Sequence, residues 1–231
     1  MSQGIVLKAV VKLSGFAFSG DHAKFLVEGY VKLFKEIVGE HHLVVVTGGG
    51  PIARAYIKAA RDMGVPESLC DQLGILVSRL NARLLIGGLG EYAFPEVPED
   101  IDELKHYFAS GKIVAMGGLQ PAQSTNAVAA IAAETVDADL LVNATDVEGV
   151  FTADPKMDSN AKKLDEVTVS RLMEILSKAE ISAGAYDLMD PLALQIIKRS
   201  KIPTVIVDGR SPENVIRALR NEKTGTKVLH D

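Results

Sequence analysis

The sequence predicts an α/β protein built on a mostly parallel β-sheet with helices on both faces. Short, β-branched apolar runs alternate along the chain with helical patterns, and such alternation is typical of parallel sheets. Three of the runs end in small or glycine-rich turns: KLSG at 12–15, TGGG at 47–50 and MGG at 116–118. Because no linker, low-complexity segment or repeat interrupts the pattern, we expect a single domain over residues 1–231.

The first half of the chain predicts strands that are followed by helices. Residues 5–13 are apolar and β-branched and predict a strand, whereas residues 21–38 have apolar side chains at three-to-four spacing and predict a helix with Asp21 as its N-cap. The run LVVVT at 43–47 predicts a buried strand. The next segments predict helices over 52–63, 69–86 and 101–109, and a strand over 113–118.

The second half continues the pattern. Residues 125–136 predict an alanine-rich helix opened by a Ser/Thr cap, and residues 140–145 predict a strand. Residues 146–166 are rich in turn formers and charges, which predicts a long functional loop or a hairpin. The remaining segments predict helices near 168–177 and 190–200, a strand at 204–208, a helix beginning at Pro212 and an edge strand at 227–230.

Composition narrows the class of protein. Hydrophobic residues make up 47% of the chain and charged residues 24%, as in ordinary soluble globular proteins. A net charge of −5 argues against a broad surface for nucleic-acid polymers. A single cysteine, Cys70, excludes an internal disulfide, argues against structural zinc and fits the reducing cytoplasm. The sequence contains no run of 18 apolar residues, so no segment is predicted to span a membrane.

The three glycine-rich turns suggest a phosphate-binding function. Ligands of open α/β sheets bind at the carboxyl ends of the strands. Glycine allows backbone N–H groups to approach phosphate oxygens, and the N-terminus of the following helix favours an anion. Three such turns suggest one polyanionic ligand, or two phosphorylated ligands that face each other. The alternative is that the glycines only make tight turns.

Two cations lie beside these turns. Lys12 ends an apolar strand and is either a solvent-exposed strand end or a clamp for phosphate. Arg54 falls in the first turn of the helix after GGG, where a cation is unfavourable to the helix dipole unless a bound anion offsets it. Lys58 and Arg61, further along the same helix, are expected on a solvated face.

Two familiar phosphate motifs fit poorly. Residues 15–22 have the glycine spacing of a Walker A motif but lack its lysine and its hydroxyl. Residues 48–53 match the GxGxxA dinucleotide fingerprint, whose ribose-binding acid should end a second strand about 20 residues later. Because Glu67 and Asp71 instead start a helical pattern, the dehydrogenase alternative is weakened.

Four segments resemble the UMP kinases of the amino-acid-kinase superfamily, and their archaeal branch most closely. The segments are VVVTGGGPIARAYIKAA, GLQPAQSTNAVAAIAAE, LLVNATDVEGVFTADPKMD and DPLALQIIKRSKIPTVIVDG. The resemblance runs from KLSG to GTKVL and implies a three-layer α/β/α sandwich. It also implies a cytoplasmic, homohexameric enzyme of pyrimidine nucleotide (CTP) biosynthesis that transfers the γ-phosphoryl group of ATP to UMP with Mg²⁺.

The resemblance also implies which residues form the site, with the acceptor in the N-terminal part of the chain and ATP in the C-terminal part. The catalytic residues would be Lys12, Arg54 and Asp190. The ATP-binding residues would be Lys12, Leu13, Ser14, Gly15, Phe16, Gly50, Arg54, Thr145, Asp146, Phe151 and Asp154. The UMP-binding residues would be Gly49 at the phosphate, Asp71 at the ribose, and Leu119, Gln120, Pro121, Ala122, Gln123, Ser124 and Thr125 at uracil and ribose.

One position departs from the family pattern. Many relatives have an aspartate just after the Ser/Thr pair, where this chain has Asn126. This difference puts a strict catalytic-aspartate mechanism in doubt, and it shifts the function of that aspartate to Asp190 or lowers its importance.

The chemistry requires positioning and charge stabilisation and no general base, because the acceptor phosphate is already ionised. Magnesium would be held mainly by the ATP phosphates and by water. The histidines show no catalytic spacing, and we interpret the pair His41–His42 as an exposed turn and not as a metal site.

Several alternatives remain open. Asp71 and Asp190 could be helix N-caps, Phe151 a core residue and Asp154 part of a turn. The acceptor could be the carboxylate of acetylglutamate or aspartate, or an isopentenyl phosphate, although GLQPAQST favours a nucleotide. A non-catalytic protein that binds a nucleotide or an oxyanion is the other class, and Lys12, Arg54 and Asp190 favour catalysis.

Overall fold

The computed structural model describes residues 6–153, 158, 160–181 and 188–231. Within these residues, seven strands form one sheet. The strands are β1 (Leu7–Leu13), β2 (His41–Thr47), β3 (Val114–Met116), β4 (Leu140–Thr145), β5 (Glu166–Thr168), β6 (Thr204–Asp208) and β7 (Thr226–Leu229).

Eight α-helices connect or flank the strands in the described chain, and single 3₁₀ turns form at Gly15–Phe18 and Gly90–Tyr92. The α-helices are α1 (Ala23–Ile37), α2 (Gly50–Asp62), α3 (Glu67–Leu89), α4 (Ile101–Phe108), α5 (Thr125–Thr135), α6 (Val169–Ile181), α7 (Pro191–Ser200) and α8 (Pro212–Leu219).

The strand order is β3-β2-β1-β4-β6-β7-β5, and only the β6–β7 pair is antiparallel. Alternate residues of the central strands enter two separate hydrophobic cores: Val10 of β1 faces one, and Ala9 and Val11 face the other. Helices α1, α3 and α8 contribute to the second core, and α4 to α7 contribute to the first. The predicted α/β sandwich with a mostly parallel sheet is therefore confirmed, and its central strands are buried on both faces.

Most predicted elements are present, and three details differ. The N-cap of α1 is His22 and not Asp21, and no side-chain hydrogen bond caps that end. Strand β5 was not predicted, although the antiparallel bridge between Phe151 and Lys163 confirms the hairpin that precedes it. Strand β7 is an interior strand and not an edge, because β5 pairs with its outer side.

Helix α3 is unusually long and apolar. Among the described residues, the stretch Glu67–Tyr92 could cross a membrane by its length and composition alone, a test that core helices also pass. Here α3 packs on α1 and α2 and on strands β2 and β3. Helix α3 is therefore part of one helical layer of the sandwich.

The structure corrects the prediction that His41 lies in an exposed turn. His41 opens β2, opposite Leu7 of β1, and its side chain is 5% exposed, so it is not part of an exposed turn. Neither ring nitrogen has a hydrogen-bond partner within the described residues. Burial lowers the pKa of His41, and Arg220 lowers it further against an opposing effect of Glu40.

This burial predicts a pH dependence of stability. Because the folded state disfavours the charged imidazole, the unfolded state binds the proton more readily as the pH falls below about 6.5. The free energy of unfolding should therefore decrease from pH 7.5 to 5.5, and His41→Leu should make that decrease smaller. Urea unfolding at several pH values measures it. The exposed neighbour supplies the control, since His42→Gln should keep the wild-type slope; an unchanged slope in His41→Leu would contradict the assignment.

Candidate functional site

The first two glycine turns lie against each other at the carboxyl ends of β1 and β2. The backbone N–H of Gly48 donates to the carbonyl of Leu13 at 2.9 Å. A Cβ added to Gly15 would overlap the backbone nitrogen of Gly50, and one added to Gly48 would lie 2.7 Å from the nitrogen of Gly15. Gly50 also has a positive φ of 62°, which glycine tolerates best. The two turns therefore form one continuous surface of backbone.

The third turn packs on helix α3. A Cβ added to Gly117 would lie 2.5 Å from the backbone nitrogen of Arg79. The N–H of Gly118 donates to the hydroxyl of Ser78 at 2.8 Å. The end of β3 is thus held against the middle of α3.

One turn of α3 holds two glycine turns at once. The side chain of Asn81 donates to the carbonyl of Gly48 at 2.8 Å, and Arg79 donates to the carbonyl of Gly118 at 3.0 Å. The hydroxyl of Thr47 donates to the carbonyl of Ser78 at 2.7 Å. These residues were not predicted from the sequence, because the pattern of α3 is dominated by leucine and isoleucine. The signal available in the sequence was the presence of three polar residues, Ser78, Arg79 and Asn81, inside a leucine-rich helix.

A cavity of about 330 Å³ opens between the second turn, α3 and the start of α5. We call it the acceptor cavity. Eight of the residues predicted from the resemblance line it: Gly49, Gly50, Arg54, Asp71, Gln120, Gln123, Ser124 and Thr125. Six further lining residues were not predicted: Ala53, Ile57, Gly74, Ile75, Ser78 and Gly118.

Arg54 is exposed at this cavity, and no described residue forms an ion pair with it. The other cations of α2 are already paired, Lys58 with Asp62 and Arg61 with Glu67, each at 2.6 Å. The charge of Arg54 is therefore the one on this helix that is available to an anion.

Asp71 holds the loop before α5. It lies inside α3, whose N-cap is Pro66, so it is not a helix cap. One carboxylate oxygen accepts the N–H of Ala122 at 2.8 Å, at a residue whose φ is 64°. In the same loop Leu119 packs on the core and Pro121 is exposed. Asp71 thus connects α3 to the predicted base-reading loop.

Most of the described residues of the predicted ATP set lie at or just after the ends of β1 and β4, whereas Gly50 and Arg54 belong to α2. Lys12 is buried and pairs in register with Asn143 of β4. The N–H of Ser14 donates to the carbonyl of Ala144 at 3.0 Å, and the hydroxyl of Thr145 donates to the carboxylate of Asp146 at 3.3 Å.

Three aromatic or apolar residues of the predicted ATP set have structural contacts as well. Leu13 is fully buried in the core, which leaves its backbone for a ligand. Phe16 and Phe151 are partly buried and pack against the two cores. Asp154 lies outside the described residues.

Asp190 joins two helix N-termini. It caps α7 by accepting the N–H of Ala193 at 3.0 Å, as the alternative reading of the sequence expected. Its other carboxylate oxygen accepts a hydrogen bond from the hydroxyl of Ser124, which caps α5. This bond holds Asp190 next to Ser124, which is one of the residues that line the acceptor cavity.

Two asparagines hold the segment that leads to Asp190. Asn143 donates to the carbonyl of Leu188 at 2.9 Å, and Asn126 approaches the same carbonyl at 3.5 Å. Their amide oxygens are buried and have no partner within the described chain. Asn126 therefore supports the backbone two residues before Asp190.

The chain is similar to known proteins in both sequence and fold. The profile of the amino acid kinase family matches residues 8–208. The chain is 47% identical to a uridylate kinase of Methanocella arvoryzae and 42% identical to one of Methanobrevibacter smithii, over 96% of this chain and 99% of each relative. Its fold is similar to the crystal structure of a uridylate kinase from Archaeoglobus fulgidus, with a TM-score of 0.87 and 39% identity over 96% of this chain and 100% of that one.

Because the first two glycine turns touch, adding a methyl group to Gly15 should lower the stability of the folded protein. Gly15→Ala should destabilise the protein by about 1–3 kcal/mol, because backbone atoms of Gly50 cannot move aside cheaply. That cost should lower the thermal midpoint by at least about 2 °C in differential scanning calorimetry. Gly39→Ala is the matched control, since its added Cβ meets nothing within 4 Å. Equal midpoints for the two variants would contradict the tight contact.

Proposed function

The chain belongs to the amino acid kinase family, and we propose that it is a uridylate kinase that transfers the γ-phosphoryl group of ATP to UMP, giving UDP and ADP. The observation that carries the proposal is the acceptor cavity, in which glycine turns, Arg54, Asp71 and the loop before α5 meet. Relatives named uridylate kinase, similar over nearly their whole length, support the same acceptor.

The acceptor cavity suits a nucleoside monophosphate. A phosphate would bind at the start of α2. It would contact the backbone N–H groups of Gly49 and Gly50 and the unpaired guanidinium of Arg54. Asp71 provides a carboxylate that can accept hydrogen bonds from ribose hydroxyls. The carboxamides of Gln120 and Gln123 line the same space and suit a polar base.

ATP would bind at the ends of β1 and β4, next to that cavity. Lys12 to Phe16 would contact its phosphates, and Thr145, Asp146 and Phe151, with Asp154, would contact the rest of the nucleotide. Because Gly15 packs directly on Gly50, the donor and acceptor phosphates would meet at this contact.

Catalysis would then come from positioning and charge. Lys12 and Arg54 would stabilise the charge that spreads over the transferring phosphoryl group. Asp190 would be held beside the reacting phosphates by Ser124 and by its own helix cap. The acceptor oxygen is already ionised, so no residue needs to remove a proton.

The cofactor would be Mg²⁺ bound with ATP. The described residues contain no cluster of three or more side chains suited to hold a metal ion. The ion would be held mainly by nucleotide phosphates and water, and the carboxylate of Asp190 would be available to orient its water shell. When bound, the ion would neutralise charge on the phosphate oxygens.

Self-association is part of the proposal. Leu69, Leu76, Leu80 and Leu84 form one apolar stripe along α3, and Leu76 and Leu80 are 60% and 63% exposed. A second copy of the chain would cover this leucine stripe by a twofold contact, since the same surface can pair with itself. Three such pairs would form the homohexamer. The enzyme would work in the cytoplasm, in pyrimidine nucleotide (CTP) biosynthesis, without a membrane or a nucleic-acid polymer as partner.

The first test is enzymatic. With ATP and Mg²⁺ in a coupled assay, UMP should be the preferred acceptor over acetylglutamate, aspartate and isopentenyl phosphate. Lys12→Met and Arg54→Ala should each lower kcat by about 10²–10³-fold, because each removes charge stabilisation of the transition state. Lys58→Ala, which removes a paired cation from the same helix, should keep the wild-type rate. A wild-type protein that binds UMP and ATP without turnover would instead support a non-catalytic binding protein.

The second test concerns assembly. The double variant Leu76→Glu/Leu80→Glu should dissociate the oligomer, because the buried charges would lack partners. Sedimentation velocity of the wild type and of the variant measures the mass. Phe25→Glu changes another exposed apolar residue, on α1, and should keep the wild-type mass. A wild-type monomer, or a variant of unchanged mass, would show that the leucine stripe is not the interface.

A further inference from the structure

The hydroxyl of Thr226 lies inside the base of the hairpin that carries Phe151. Thr226 opens strand β7 and is fully buried. Its Oγ1 accepts the backbone N–H of Val150 at 2.9 Å and donates to the backbone carbonyl of Leu164 at 2.5 Å. Val150 and Leu164 lie opposite each other on the two arms of the hairpin, since the N–H of Leu164 donates to the carbonyl of Val150 at 2.8 Å. One side chain therefore holds both arms at the same level.

This hydroxyl changes how the two arms pair. Two opposite residues of an antiparallel pair ordinarily exchange two direct backbone bonds, one in each direction. Here one of the two bonds is direct, and the other runs through Oγ1 of Thr226. The inserted oxygen separates the arms on that side, as an extra residue does in a β-bulge. It therefore sets the direction in which the next residue, Phe151, leaves the base of the hairpin.

Thr226 is itself fixed by the sheet. It pairs in register with Ile206 of β6, and a Cβ added to the preceding residue, Gly225, would lie 2.0 Å from the carbonyl oxygen of Ile206. A Cβ added to Gly149, just before the hairpin, would lie 2.5 Å from Oγ1 of Thr226. Strand β6 also pairs with β4, which ends at Thr145. The hydroxyl thus ties the hairpin to the strand that precedes it in the chain.

We propose, resting on the uridylate kinase function, that Thr226 is a positioning residue for the nucleotide of ATP. Phe151 and Thr145 belong to the proposed ATP site, and Thr226 holds the backbone that joins them. Thr226 acts through the hairpin and contacts neither the nucleotide nor the reacting phosphates. The acceptor cavity is built from other elements, namely the second and third glycine turns, α2, α3 and the start of α5. A change at Thr226 should therefore weaken the binding of the donor and spare that of the acceptor.

The test removes the hydroxyl alone. Thr226→Val keeps nearly the same shape, but the two arms of the hairpin must then pair directly or lose their common partner. The kcat/KM for ATP should fall by about 10–100-fold, the scale of a misplacement of up to about 1 Å, while the KM for UMP at saturating ATP stays at the wild-type value. Thr226→Ser retains the hydroxyl and should restore most of the wild-type kcat/KM for ATP.

Thr204→Val is the matched control. Thr204 is also a buried threonine, and its hydroxyl donates to the carbonyl of Ile202 at 3.0 Å, at the amino end of β6. Because both variants lose a buried hydrogen bond, both should have a lower thermal midpoint, but Thr204→Val should keep the wild-type KM for ATP. Titration calorimetry with a non-hydrolysable ATP analogue gives a readout that does not depend on turnover, and it should show weaker binding in Thr226→Val only.

A double-mutant cycle tests whether Thr226 acts through Phe151. If the hydroxyl matters because it orients this ring, Thr226→Val should change the kcat/KM for ATP much less in a Phe151→Ala background than in the wild type. Additive effects of the two substitutions would overturn the inference, because Thr226 would then act independently of the ring.

A folded Thr226→Val variant with the wild-type KM for ATP, or with an equal loss for ATP and UMP, would also overturn the inference and leave the uridylate kinase function standing. If this variant does not fold, Thr226→Ala removes the hydroxyl without placing a methyl group against the polar backbone, and the same result is expected of it. A wild type that does not phosphorylate UMP would overturn the proposed function, and calorimetry with the ATP analogue would still decide whether Thr226 positions the donor.

Discussion

The site depends on the direct backbone contact between Gly15 and Gly50. Parallel strands β1 and β2 are neighbours in the sheet, so their carboxyl ends bring the two turns together. Only glycine at both positions lets the turns touch, since a Cβ at either would enter the backbone of the other. The contact sets the distance between the two surfaces that would hold the donor and acceptor phosphates.

Helix α3 holds this arrangement by hydrogen bonds and also reaches the molecular surface. Hydrogen bonds join Ser78, Arg79 and Asn81 to the second and third glycine turns, and those of Ser78 and Asn81 are buried. Other residues of the same helix form the exposed leucine stripe. One helix therefore carries both the bonds that hold the glycine turns and the exposed leucine stripe.

A second set of bonds joins the parts of the chain on the other side of the cavity. Ser124 and Asp190 connect the N-termini of α5 and α7, and Asn126 and Asn143 hold the carbonyl of Leu188 just before Asp190. The amide of Asn126 takes part in this support, because it approaches the carbonyl of Leu188, two residues before Asp190. The unsatisfied oxygens of Gln123, Asn126 and Asn143 all belong to this region, as expected of a site that a ligand completes.

The sequence by itself determined six of the seven described strands, the described helices and the position of the glycine turns, because hydrophobic periodicity and turn chemistry act over a few residues. It also indicated that Arg54 differs from Lys58, since the helix dipole is a local effect. Only the tertiary structure decided that β7 lies inside the sheet, that Asn81 holds Gly48 and that Ser124 meets Asp190. These contacts join residues distant in the chain, and no local pattern encodes the register or side-chain direction that brings them together.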